Sequence, residues 1–312
     1  MASQSPVARL ARASTANDQA ALNAAARLTD RDRFLVRVVA EHRVLTTDQL
    51  AALAFENVIT ARHRLDALNR MGALRRVRPH RAVGSAPWHY LLGVLGAAIL
   101  GAEDRDDNKW LSQVRAGRQV ALQRSQRLSH MTGANWFFVS LAGHARRGDG
   151  ELRTWLSEGH TAEFFYERMI SLSALASFPQ PDGLGVWAED SREIAFTLDY
   201  DTGSEHLAQL AGKLDSYARL ADVLSRYHQQ VPLLLFCFLT PRREQTARHA
   251  LAASADSLGL RIATAAIDPR VTCPAGQVWM PLHSSGRQVR LIDLAGIPFE
   301  AAQSAYTADP YR

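Results

Sequence analysis

Three short stretches carry residue types that could do chemistry together. Pro181-Asp182-Gly183 precedes a strand-like run at 184–188, Asp199-Tyr200-Asp201 ends another at 193–200, and Lys213 follows in a helix-like run at 206–227. Carboxylates at the ends of neighbouring strands can converge on a hard divalent cation through oxygen. A lysine beside them can stabilise charge developing on a phosphate, or orient an attacking water. The same residues also fit a plain strand-turn-helix junction. Asp201 or Thr202 is then a turn residue, Ser204 an N-cap, Glu205 a favourable first-turn acid, and Pro-Asp-Gly a common turn. Spacing alone leaves both open. His130, near the start of another helix-like run, could be a ligand or a base, but a lone histidine there also fits plain hydrogen bonding.

A second set is cationic. Arg62, His63, Arg64 and Arg70 lie on a predicted third helix, and Arg75, Arg76, Arg78, His80 and Arg81 in the hairpin after it, with Asp66 the acid among them. Arginines on a helix inserted in the major groove meet guanine edges or phosphates, and hairpin arginines hold the backbone or enter the minor groove. A solvated basic face on a protein-binding domain would look similar. Cation density coincides with the two elements that should touch nucleic acid, which favours double-stranded DNA.

These residues need elements to position them. Thr29 or Asp30 caps a first helix with Phe34, Leu35, Val38 and Val39 at helical spacing. Val44-Leu45 is a short extended piece. Thr46-Thr47-Asp48-Gln49 starts a second helix, and a third runs over 58–71 with Ile59, Leu65, Leu68 and Met71 facing inward. Gly72 suits the C′ position. Strand-like segments at 73–78 and 88–92 close a hairpin, so 28–93 reads as a winged helix-turn-helix. Residues 1–27 read as disordered or weakly helical, and 94–150 as a helical connector with an acidic loop at 103–110. From 151 to 295, strand-like runs at 184–188, 193–200, 231–239, 260–267, 277–281 and 288–292 alternate with helix-like runs at 206–227 and 241–258, an α/β pattern. Residues 296–312 form a tail. The fold class expected is therefore mixed α+β and α/β, in about two domains for 312 residues.

Composition narrows the classes. No run of about 18 apolar residues occurs, so no membrane span is expected. Residues 1–12 lack an apolar signal core. Cys237 and Cys273 form neither a close metal-ligand pair nor a disulfide framework, which suits a reducing cytoplasm. The net charge of +5 is modest for this length, so distribution matters more than the sum. Lys109 and Lys213 are the only lysines among 36 cations, which sets Lys213 apart. No phosphate loop or dinucleotide fingerprint is present.

Taken together, the basic module, His130 with its helix, Trp155-Leu156-Ser157-Glu158, Pro181-Asp182-Gly183, the block from Phe196 through Glu205, Lys213-Leu214 and Tyr217 resemble the replication-relaxation family over roughly 28–239. That family more often has Glu at position 199 and Thr at 204. Pro-Asp followed by Asp-x-Asp also resembles the PD-(D/E)XK nuclease pattern, with Asp201 standing where that pattern has its lysine. The resemblance implies a restriction-endonuclease-like domain over 151–295 and work in plasmid or mobile-element replication, DNA relaxation or mobilisation. It implies Asp182 and Asp199 as ligands of Mg²⁺ or Mn²⁺, Asp201 assisting, Lys213 on the scissile phosphate, and Glu158 as a further carboxylate. Tyr200 and Tyr217 are the tyrosines available for a relaxase-type nucleophile, Tyr217 being better explained by packing. The other outcome is a non-enzymatic accessory factor or regulator with a degenerate nuclease domain. Expected partners are double-stranded DNA, a second copy of the chain, and replication or mobilisation proteins, with no membrane.

Overall fold

A computed structural model describes residues 26–296 apart from 80–83, 106, 116–126, 149, 171–178, 204, 227–229, 256–257 and 285. The chain divides into two compact units, Met1–Leu128 and Ser129–Arg312. Mixed α+β structure is observed, helices first and a mixed sheet after them. Among the described residues no helix is long and apolar enough to cross a membrane.

In the first unit, helix α1 (Asp30–His42) begins at a capping box: Thr29 accepts from the Asp32 amide while Asp32 reaches back to the Thr29 amide. Strand β1 (Leu45–Thr46) leads into α2 (Thr47–Ala54), capped in the same way by Thr46 and Gln49. Asn57 caps α3 (Val58–Arg70), which buries Ala61, Leu65 and Leu68. Ile59 does not face inward as expected; it is 58% exposed. The buried stripe recurs at positions 61, 65 and 68, and Ile59 falls off it, beside Arg62 and His63. Gly72 takes φ +77, the left-handed geometry that ends a helix. Strands β2 (Leu74–Val77) and β3 (His89–Leu92) form the hairpin, and the antiparallel sheet has the order β1-β3-β2.

The expected acidic loop at 103–110 is mostly helix instead: helix α4 (Val94–Asp104) ends in it and helix α5 (Asp107–Val114) begins in it. Arg37 donates to Glu103 at 2.8 Å and Asp104 at 3.0 Å, Arg33 pairs with Glu103, and Trp110 Nε1 donates to Asp104 at 2.8 Å. Arg33 and Arg37 lie about 70 residues from these acids, beyond the reach of a local pattern.

In the second unit, α6 (Arg127–Ala145) is followed by β4 (Glu151–Ser157), α7 (Glu158–Ile170), β5 (Gly183–Glu189), β6 (Arg192–Asp201), α8 (Leu207–Arg226), β7 (Leu233–Phe238), α9 (Pro241–Ala255), β8 (Ile262–Ala266) and β9 (Met280–Pro281). The strands stand in sequence order; β4-β5-β6 are antiparallel, β6-β7-β8 parallel, and β9 antiparallel. The strand expected at 288–292 is a single bridge, Trp279 to Val289, then a 3₁₀ turn at Ile292–Ala295. Alternation along β6 sorts the two faces. Phe196, Leu198 and Tyr200 pack with Phe137 and Phe138 of α6. Asp199 and Asp201 point to the other face, where α8 and α9 pack Leu210, Leu214, Tyr217 and Leu251 on Phe236 and Phe238.

Candidate functional site

Asp182 sits one residue before β5. Its amide donates to the Leu198 carbonyl at 2.8 Å, and Gly183 pairs with Leu198, so Asp182 stands across from Asp199. His130 Nε2 lies 2.6 Å from Asp182 Oδ1, and the Tyr200 amide donates to Oδ2 at 2.8 Å. Asp199 is 5% exposed. Lys213 Nζ donates to its Oδ1 at 2.9 Å and to Glu205 Oε2 at 3.0 Å. Tyr217, one turn further along the same face of α8, donates its hydroxyl to Asp199 Oδ2 at 2.5 Å. The fold thus brings Asp182, Asp199 and Lys213 together. Glu158 opens α7 just after Ser157, the partner of Gly183, and so lies at the same strand ends by register.

Asp201 has a different neighbour. Arg243 Nε and Nη2 donate to its Oδ2 at 3.0 and 2.7 Å, the Gly203 amide donates to Oδ1, and Arg243 also binds the Glu205 carbonyl. Arg243, Glu205 and Tyr217 complete this network. Arg243 did not stand out in the sequence, Glu205 read as a helix-start acid, and Tyr217, though available as a nucleophile, read as packing.

Burial pushes the Asp199 carboxyl above its usual range, with the Lys213 charge pulling against it. Burial also works against the Lys213 ammonium, but Asp199 and Glu205 outweigh it and hold Lys213 above the ordinary lysine value. For His130, burial opposes the charged form, and the hydrogen bond to Asp182 together with the nearby carboxylate charges outweighs burial and raises it. Burial raises both the Tyr200 and Tyr217 phenols, which makes each a poorer source of phenolate for a nucleophile.

Two carboxylates are enough protein ligands for Mg²⁺, which takes water and phosphate oxygens besides. Occupancy is the obstacle. Both oxygens of Asp182 and both of Asp199 already serve other donors, and Asp201 is held by Arg243. Among the described residues no group of three or more His, Cys, Asp or Glu side chains is arranged to hold a metal ion. In this arrangement the residues do not fit the cation.

The basic set lies on the first unit. Arg62, His63, Arg70, Arg75 and Arg78 are exposed. Arg64 turns inward: its Nε donates to Asp32 Oδ1 at 2.7 Å, and Asp32 is 1% exposed. Arg64 therefore ties α3 to the start of α1. Asp66 pairs with Arg70 and, at 2.8 Å, with Arg76. Arg81 and His80 lie outside the described residues. A cleft of about 590 Å³ runs between α3 and the hairpin, with Arg62, Arg76, Arg78, Ser85, Trp88 and Asp48 among its lining. The Arg76 and Arg78 guanidinium carbons stand 4.5 and 4.2 Å from the centre of the Trp88 ring. Trp88 read in the sequence only as a strand residue; the signal was its place across the hairpin from arginines two apart.

No curated protein and no solved structure matches the chain. The family model described as replication-relaxation matches residues 36–234, more than half of the chain and a span that includes both the basic face and the Asp182–Asp199–Lys213 cluster. By that match the chain belongs to the replication-relaxation family.

Proposed function

We propose that this protein binds double-stranded DNA in plasmid or mobile-element replication or mobilisation, and that its first unit is a winged helix-turn-helix. The helix and strand order α1-β1-α2-α3-β2-β3, with β3 between β1 and β2, supports that reading of the unit. One observation carries the DNA partner. Arg62 on the outward face of α3 and Arg76 and Arg78 on the hairpin converge on one cleft, as a helix in the major groove with a hairpin on the backbone requires.

The test is fluorescence anisotropy on duplexes from the gene's own neighbourhood across a salt series. Affinity is expected to fall steeply with salt, and Arg62→Ala and Arg78→Ala each to lower the log–log slope by about 1. Arg64→Ala is expected to lower stability instead. Binding that ignores salt sinks the proposal.

The second unit is proposed to be a restriction-endonuclease-like core serving as a structural or partner-binding body. The order α6-β4-α7-β5-β6-α8-β7, with three antiparallel strands and then a parallel one, supports that relation, and the engaged carboxylates favour the non-enzymatic form. One observation favours metal-dependent nicking: Lys213, absent from its usual strand position, reaches Asp199 with Asp182 opposite. That reading requires Asp182 and Asp199 to give up their present partners. Supercoiled DNA incubated with the protein and Mg²⁺ or Mn²⁺ is expected to stay intact. Open circles made by the wild type and not by Asp199→Ala would reverse this assignment.

A further inference from the structure

The hairpin holds two arginines in unlike ways. Arg76 is fixed by Asp66 at 2.8 Å, by a hydrogen bond with Tyr90, and by Trp88. Arg78 has the Trp88 ring, 4.2 Å from its guanidinium carbon. The register places Trp88 across the hairpin from Arg78, since Val77 pairs with His89. An aromatic face attracts the flat face of a guanidinium through the ring quadrupole. The in-plane N–H edges stay open, and those edges form paired bonds to phosphate oxygens. A long side chain held in this way loses less freedom when it binds. Arg62 reaches the same cleft from α3, and Asp48 of α2 also lines it.

Resting on the DNA-binding reading, we infer that Trp88 is a positioning residue that presents Arg78, with Arg62 opposite, to one backbone phosphate of duplex DNA. Contact is with phosphate, so Trp88 contributes to affinity evenly across sequences.

Anisotropy across a salt series with wild type, Trp88→Leu, Trp88→Phe and Arg78→Lys tests this, with thermal melting of each variant alongside. Trp88→Leu removes the quadrupole and keeps an apolar, though smaller, side chain; Arg78→Lys keeps the charge and removes the plane. Both are expected to bind about fivefold more weakly with the salt slope unchanged, while Trp88→Phe stays within about twofold of wild type. Wild-type affinity in Trp88→Leu or Arg78→Lys overturns the inference, as does a Trp88→Phe as weak as Trp88→Leu. Should Trp88→Leu melt early, Arg78→Lys, at an exposed position, decides alone. A wild type with no salt-dependent binding would overturn the DNA-binding reading itself, which is a separate result.

Discussion

Replacing Arg243 with methionine is expected to lower the unfolding free energy by about 3–5 kcal/mol, because it strands a buried carboxylate. The Asp201 side chain is 3% exposed and that of Arg243 20%. Two guanidinium nitrogens meet one Asp201 oxygen, and the same guanidinium holds the Glu205 carbonyl at the β6-to-α8 turn. Removing the cation leaves Asp201 with the Gly203 amide and no charge partner. The double variant Asp201→Asn with Arg243→Met is expected to recover most of the loss, since neither charge is then buried alone. Urea denaturation of the wild type and the two variants gives the answer. A loss under about 1 kcal/mol in Arg243→Met would mean that the pair is solvated and incidental. This expectation treats Asp201 as part of the fold, in contrast to the assisting role implied by the family pattern.

The second large effect concerns Lys213. Lys213→Met leaves Asp199, whose side chain is 6% exposed, facing Asp182 with the Tyr217 hydroxyl as its remaining partner. The Lys213 side chain is 36% exposed, so water shares in its charge and the loss at neutral pH is discounted to about 2–3 kcal/mol. Its pH dependence is more telling. The Asp199 carboxyl is raised by burial, and losing the cation raises it further. A raised folded-state value means that the folded protein binds the proton more readily than the unfolded chain does. Stability is then gained as pH falls from the folded value toward the ordinary 3.8 and lost as pH rises through the folded value. Denaturation midpoints of Lys213→Met are expected to climb, as pH falls from the raised folded value toward 3.8, more steeply than those of the wild type. Equal slopes in the two proteins would show that Asp199 stays ionised without its lysine.

Local chemistry made much of this structure readable. Thr46 and Gln49 mark the start of α2 within four residues, and Gly72 marks the end of α3. Alternation along β6 predicts that Asp199 and Asp201 share a face, and a lysine in the next helix predicts a cation near them. What stayed hidden depended on distant partners. Strand β4 was not read as a strand because Glu151 and Arg153 are charged; they point outward on an edge strand, and Arg153 bridges to Glu193 of β6. Helix α7 was missed with it. Arg243 reaches Asp201 through the parallel crossover from β6 to β7, 42 residues away. Arg64 looked like its neighbours Arg62 and His63 until α1 supplied Asp32.

That last bond makes the first unit a coupled lever. Asp32 closes the cap of α1 through Thr29 and grips Arg64 of α3, so the two helices share a single hinge pin. Burial opposes the charged form of Asp32, yet Arg64 and Thr29 prevail and hold it below the ordinary carboxylate range. The stability it contributes is present above 3.8 and lost only as pH falls through its lower folded value. One proton there would weaken the cap of one helix and its tie to the other in the same event, and the lowered value means that both contacts withstand mild acid.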